Sequence, residues 1–395
     1  MVTCDWVPVA ADSDFPLENL PFGVVRFAEG EPPRVVVRLG DHVLDLARAG
    51  IVPELTRQPT LNALLESMRG SELRTRAGDL LVGPARPELI HAVDEVEVLL
   101  PIAVGDYVDF YSSLHHATNL GRILRPGTEP LLANWRQLPV GYHGRSGTVV
   151  VSGTPIARPE GLIAGTDGIG RLAPSAALDF ELEVGFVVGG ARASHIRPDD
   201  ADRHVFGVVL LNDWSARDVQ SFEYQPLGPN LAKSFATSIS PWVVTFDALR
   251  DHLVPAPPQE PLPDPYLRAS RPWGLDLHLT VDVGDTRVTD TCFDNMYWTF
   301  AQQLAHMTVN GATTGAGDLF GSGTVSGPTP AERGSMIELS WRGADPLRLN
   351  DGTSRSFLED GDMVTMRGWA GGQARPRIGF GEVRGTIMPA RDRRD

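Results

Sequence analysis

The segment LDFELEVGF is the first place where this chain could do chemistry. Asp179, Glu181 and Glu183 alternate with Leu178, Phe180, Leu182 and Val184. A period of two puts the acids on one face of a strand and the apolar residues on the other. A solvated acidic face is the plainer reading, yet three like charges in a row repel unless something positive lies among them. A hard divalent cation would serve. Downstream, HVFGVVLLNDWSARDVQSFEYQPLG predicts a strand over residues 205–211 that ends at Asn212 and Asp213, followed by a helix over 214–224. Asp213 could simply cap that helix. It could also lead into a face where Arg217, Gln220 and Tyr224 fall at i, i+3 and i+7, a donor array for an oxygen-rich substrate. Lys233 and Thr237, four residues apart, share one side of either a strand or a helix. Upstream, GDYVDFYSSLHHATNLGRILR crowds Asp109, Tyr111, His115, His116 and Arg125 together. A histidine pair beside an acid and a tyrosine points to a general base.

These side chains need a scaffold, and the rest of the chain predicts one rich in strands. FGVVRF, RVVVRL and HVLDL, within residues 22–46, read as a small β-unit. Residues 61–69 and 72–81 read as amphipathic helices, and a domain boundary falls near Pro101. Beyond it, GTVVVSGTPI, LDFELEVGFVVGG, HVFGVVLLND, LDLHLTVDV, MIELSW and DMVTMRG read as strands, with a second helix over 295–310. Strands and helices do not alternate regularly, which argues against a doubly wound sheet and for a large β-dominated domain. The proline-rich stretch from Pro255 to Pro272 reads as an irregular surface excursion.

Composition removes whole classes of function. With 395 residues and a net charge of −15, two domains are expected, and neither nucleic acid nor an anionic membrane is a suitable partner. Cys4 and Cys292 are the only cysteines, too few for a disulfide framework, and fit a reducing cytosol. No apolar run reaches membrane-spanning length and no secretory leader is apparent, so the expected location is cytoplasmic. Nucleotide-phosphate, serine-hydrolase, zinc-protease and dinucleotide motifs are all missing, and no organic cofactor is expected. Of the 35 basic residues only Lys233 is lysine, either a place where a compact, tunable amine is needed or a chance survival at an indifferent surface site.

The phrases DFYSSLHHATNLG, LPVGYHGRSGTVVVSGTPI, LDFELE, LNDWSARDVQ, FEYQPLGPNLAKSFATSISPWVV, MYWTFAQQL, GSGTVSGP and RIGFGEV together resemble the fumarylacetoacetate hydrolase family. The likeness runs over nearly the whole chain. It implies a mainly β fold with some α: a small SH3-like β-barrel over 1–101 and a large mixed β-sandwich roll over 102–395, in a homodimer. It implies metal ligands at Asp109, Glu181, Glu183 and Asp213, and a second cation near Lys233 and Thr237. The catalytic base falls on His116, with Glu338 orienting it, and Arg217, Gln220 and Lys233 stabilise charge on the reacting diketone. Tyr111, Arg125, Tyr142, Tyr224 and Thr324, with Gln220, match substrate contacts. The chain departs from the family at Leu114 and His115 and over 164–174. The implied reaction is hydrolysis of a C–C bond in the 1,3-diketone acid 4-fumarylacetoacetate, giving fumarate and acetoacetate, the last step of tyrosine and phenylalanine degradation. Oxygen ligands select Mg2+ or Ca2+, with Mn2+ as an alternative. Acylpyruvate hydrolysis or 2-oxo-acid decarboxylation on the same scaffold is the rival reading. A non-catalytic cation-binding module would leave His116, Glu338 and Lys233 unexplained.

Overall fold

In the computed structural model, which describes residues 4–372 and 375–391, the fold is mainly β with some helix, in curled, half-barrel sheets. The opening strands form where expected, at Phe22–Arg26, Arg34–Leu39 and His42–Asp45. Their β-branched residues fill a small core. Ile90–Ala92 and Glu97–Leu99 close the two edges of this five-stranded sheet. Two helices, Asn62–Ser67 and Gly70–Val82, bury Leu64, Leu65, Leu73, Ala77 and Leu81 in the same core.

The larger part is built on an eight-stranded mixed sheet. Its order runs Gly141–His143, Tyr107–Phe110, Leu319–Gly321, Leu182–Val188, Val205–Asp213, Thr237–Ile239 and Val149–Val151, with Val244–Thr245 also beside Val205–Asp213. A five-stranded sheet, which includes His278–Val283, Met363–Ala370 and Ile378–Met388, packs on one face. Leu182, Val184 and Leu210 meet Leu279, Met366, Phe380 and Val383 there. The opposite face, carrying Tyr107, Val187, Val209 and Leu211, shares a core with the opening strands and helices. The alternation in LDFELEVGF therefore does sort apolar from acidic side chains. However, the acidic face is not solvated: Asp179 and Glu183 are fully buried and Glu181 nearly so.

Three local expectations are corrected. MIELSW does not form a strand: Met336–Leu339 is a helical turn whose first amides, Met336 N and Ile337 N, donate to the Asp179 carboxylate at 2.6 and 3.0 Å. An anion at a helix N-terminus is stabilised by those free amides, so the conformation is set by a residue far away in sequence. The second helix is short, Phe300–Thr308, capped by Thr299 with Gln302 completing a capping box. The helix expected from Trp214 begins only at Arg217 and ends at Glu223. Trp214 is fully buried, donating to Ser238 Oγ at 2.9 Å, and Asp213 ends a strand instead of capping the helix. The proline-rich segment does run irregularly, pinned by Gln259 on Tyr297 and by the buried Leu267.

Candidate active site

Three of four neighbouring strands deliver carboxylates to one end of the large sheet. Gly321 lies opposite both Asp109 and Gly185 in register, which leaves Asp109 and Glu183 facing each other over a residue with no side chain. A Cβ at Gly321 would stand 2.6 Å from Asp109 Oδ1 and 3.0 Å from Glu183 Oε2. Asp213 arrives from the next strand and Glu181 from the break before Leu182–Val188. One carboxylate oxygen from each of Asp109, Glu181, Glu183 and Asp213 lies within 4.8 Å of all the others.

Charge balance is incomplete without a cation. Lys233 Nζ pairs with Glu181 Oε2 and, at 2.6 Å, with Asp213 Oδ2. Arg217 bridges Asp179 and Glu181, at 2.7 Å to each, and donates to Gln220 Oε1 at 3.0 Å. Asp109 Oδ1, Glu183 Oε1 and Asp213 Oδ1 nevertheless have no hydrogen-bond partner although buried. Burial and the neighbouring Asp109 and Asp213 push the Glu183 pKa well up. Asp213 is also held well above the usual range by burial, against the pull of Lys233. For Glu181 burial raises the pKa, but Lys233, Arg217 and His116 outweigh it and hold the carboxyl well below its ordinary value. Buried, converging, unpartnered carboxylate oxygens fit a hard divalent cation.

His116 faces this cluster from the helix Leu114–Leu124, whose first turn is capped by Ser113. Its Nδ1 is 2.6 Å from Glu338 Oε2, and its Nε2 lies 3.7 Å from Glu181 Oε1. Glu338 also accepts from Asn119 at 2.9 Å, Ser326 at 2.9 Å and Ser335 at 2.8 Å. Burial alone would raise its pKa, but His116, Asn119 and Ser335 together hold it below the usual value. An ionised Glu338 fixes the proton on Nδ1 and leaves Nε2 as the basic nitrogen. Tyr111 packs edge-on against the imidazole, with ring centroids 5.3 Å apart.

The remaining candidate residues are placed less uniformly. Tyr142 directs its hydroxyl onto Asp213 Oδ2 at 2.7 Å and Asp109 Oδ2 at 3.2 Å, so it braces the acids. Thr237 lies opposite Asp213 in register. The Thr324 hydroxyl is buried without a partner, and Gly323 N, beside it, donates to Glu183 Oε2 at 2.9 Å. Arg125 ends the His116 helix, one guanidinium nitrogen on Pro130 O at 2.9 Å and its Nε buried and free. Tyr224 sits at the end of the Arg217 helix with its hydroxyl accepting from Gln225 at 3.2 Å. Its contacts do not reach the acids. Sequence reasoning missed Asn119, Ser326 and Ser335 on Glu338, and Asp179 as the anchor of Arg217. Asn119 had a usable signal, since i, i+3 spacing places it one turn beyond His116 on the same helix face. A wider cleft of about 460 Å3, beneath the proline-rich segment between Gln259, Arg268 and Trp273, contains none of the acids.

A mainly β domain that carries, next to a Glu-oriented histidine, a buried carboxylate cluster able to hold a metal ion suits a hydrolase. The chain belongs to the fumarylacetoacetate hydrolase family: residues 107–388 match the "Fumarylacetoacetate (FAA) hydrolase C-terminal" family and residues 18–101 the "Fumarylacetoacetase N-terminal" family. The fumarylacetoacetase of Caenorhabditis elegans is 44% identical over 415 residues, covering 98% of this chain and 99% of its own. That of Homo sapiens is 45% identical over 420 residues, with the same coverage. Among solved structures, fumarylacetoacetate hydrolase from Exiguobacterium antarcticum aligns with a TM-score of 0.57 at 17% identity, over 94% of this chain and 100% of that one. Maleylpyruvate hydrolase from Sphingobium aligns with a TM-score of 0.55 at 15% identity, over 93% and 100%. At such identities these two speak for the fold alone.

Proposed function

We propose that this protein hydrolyses 4-fumarylacetoacetate to fumarate and acetoacetate, closing tyrosine and phenylalanine degradation in the cytoplasm. The observation that carries the proposal is His116, held between Glu338 on Nδ1 and the acid cluster on Nε2. His116 takes a proton from water at Nε2 as the oxygen attacks the fumaryl carbonyl, and Glu338 steadies the imidazolium that forms. The bond from that carbonyl to the central CH2 breaks, and the departing carbon leaves as the enolate of acetoacetate. The proton taken from water then returns to that carbon. Lys233 donates to the enolate oxygen, and Gln220, whose Oε1 is occupied by Arg217, offers its amide nitrogen to the diketone. Tyr111 and Arg125 lie on the His116 side, suited to the fumaryl carboxylate, while Tyr142, Tyr224 and Thr324 complete the substrate contacts.

Asp109, Glu181, Glu183 and Asp213 would hold Mg2+ or Ca2+, with Mn2+ a third choice, and Lys233 and Thr237 would flank a second cation. The ion supplies a Lewis acid for the diketone oxygens. The working form is a homodimer, divided at residues 1–101 and 102–395. The terminal residues 1–3 and 392–395, and residues 373–374, lie outside the described residues. Among the described residues no helix is long and apolar enough to cross a membrane.

The test is loss of fumarylacetoacetate absorbance with metal-stripped protein, before and after adding Mg2+ or Ca2+, beside His116→Ala. Turnover should appear with metal and fall by about 10²–10⁴-fold in the variant. A folded, metal-loaded protein without turnover would defeat the proposal and send the search to acylpyruvates and 2-oxo acids.

A further inference from the structure

More than the bond between them holds His116 against Glu338. His116 N donates to Ser113 Oγ at 3.1 Å, and Ser113 Oγ donates to Ser326 O at 3.0 Å. Ser326 Oγ in turn donates to Glu338 Oε2 at 2.9 Å, and that same oxygen lies 2.6 Å from His116 Nδ1. Ser113, His116, Ser326 and Glu338 thus close a hydrogen-bonded ring, and all are buried. Its hydroxyls have fixed directions. Ser113 Oγ already accepts from His116 N, and Ser326 Oγ accepts from Gly334 N at 3.0 Å. A hydroxyl carries one proton, so that of Ser326 goes to Glu338.

The backbone of Glu338 is fixed separately. Arg333 Nη1 donates to its carbonyl at 2.9 Å, and Asp179 holds the amides of Met336 and Ile337. The freedom that remains lies in the side chain, above all in rotation of the carboxylate about its last bond, which has broad wells. The two oxygens are unequally supplied. Oε2 takes His116 Nδ1, Ser326 and, at 2.8 Å, Ser335. Oε1 takes Asn119 Nδ2 alone among the described residues, at 2.9 Å. Without that donor Oε1 is a buried anionic oxygen with no partner, and rotation of the carboxylate lets it compete for the donors crowded on Oε2. That rotation carries Oε2 off His116 Nδ1. Asn119 stands three residues beyond His116 on the same helix, so it ties the carboxylate to the element that carries the imidazole. We propose that Asn119 is a positioning residue of the reaction: by holding Oε1 it sets the plane of the Glu338 carboxylate, and through it the orientation of the His116 ring toward the acid cluster. The inference rests on His116 as the base proposed above.

The experiment reads His116 directly as well as through turnover. Wild type, Asn119→Ala and Asn119→Leu are compared as Mg2+-loaded proteins labelled with 15N-histidine, since leucine keeps the branched shape of asparagine without its donor. The Nδ1 proton that His116 shares with Glu338 across 2.6 Å should resonate far downfield in the wild type and be displaced in both variants. In both, kcat should fall about tenfold or more, the scale of a hydrogen bond to a charged group, with KM within about twofold. Asn119 makes no hydrogen bond to the four clustered acids among the described residues, so calorimetric Mg2+ affinity within about twofold of wild type shows that a variant keeps its fold. A near-normal kcat in Asn119→Leu, with the loss confined to Asn119→Ala, would mean that Asn119 only fills space and overturns the proposal. An unmoved His116 resonance overturns it too. Displacement of the resonance in a protein whose wild type turns over no fumarylacetoacetate would defeat the proposed reaction and leave this placement of His116 standing.

Discussion

Lys233 is enclosed by two carboxylates that demand a point charge. Burial pulls its pKa down, but Asp213 and Glu181 outweigh that and hold it above the usual lysine value. A guanidinium carries the same charge in a larger planar fork, and Lys233, Glu181 and Asp213 are all buried. Lys233→Arg should therefore lower kcat by about 100-fold or more, and near-normal turnover would show that charge alone suffices. The acids beside it give a pH signature. Glu183 and Asp213 have folded-state pKa values raised well above 4.5 and 3.8, so the metal-free folded protein holds protons that the unfolded chain has released. Its stability from these groups is fully present below the unfolded values and is lost as pH rises through the folded ones. A cation replaces those protons, so the rise in Tm on adding Mg2+ or Ca2+ to chelator-treated protein should grow from pH 5 to pH 8. A Tm rise independent of pH would mean that these carboxyls are not the ligands.

The same site depends on elements whose legibility in the sequence varied with how local their causes were. The strands around Glu183 and Asp213 were readable because β-branched runs set them locally. The choice between His115 and His116 was open to periodicity as well: His116, Leu120 and Ile123 fall at i, i+4 and i+7 and are all buried. Met336–Leu339 was not readable, because its turn is imposed by Asp179 from 157 residues away. Nor was the burial of the acidic face, which depends on what the rest of the chain lays over it. Burial with a partly opposing Arg217 raises the Asp179 pKa, yet this side chain ties Arg217 to the turn that carries Glu338. Asp179→Asn should cost about 3 kcal/mol in denaturant unfolding, the scale for breaking a buried ion pair, and should lower kcat as well. Gly321→Ala acts differently. Its methyl would press on Asp109 Oδ1 and Glu183 Oε2, so calorimetric titration should show cation affinity falling at least tenfold while the far-UV spectrum stays unchanged. Unaltered affinity would place the ion elsewhere.

Across the whole molecule, one face of the large sheet serves two purposes. Tyr107, Val187, Val209 and Leu211 pack with Phe22, Val24, Leu64 and Leu65 of the opening segment, and Asp109, Glu183 and Asp213 stand further along the same face of those strands. Tyr107 stands at the join: its ring lies in the shared core, while burial and then Asp109, Asp213 and Glu183 push its hydroxyl pKa far up. A second seam reinforces the first. Phe22 and Val243 exchange backbone hydrogen bonds at 3.0 and 2.7 Å, and the Trp242 ring covers Gly23 so closely that a Cβ there would collide with it. Residues before and after Pro101 thus bury each other's apolar surface, and neither side could lose its partner without exposing a core face. Calorimetry should therefore record one cooperative unfolding transition for the whole chain. Adding Mg2+ or Ca2+, whose ligands all lie after Pro101, should move that entire transition upward. A separate, cation-insensitive transition from the first hundred residues would show that the shared core does not couple them, and that the acid face keeps its shape without the opening domain.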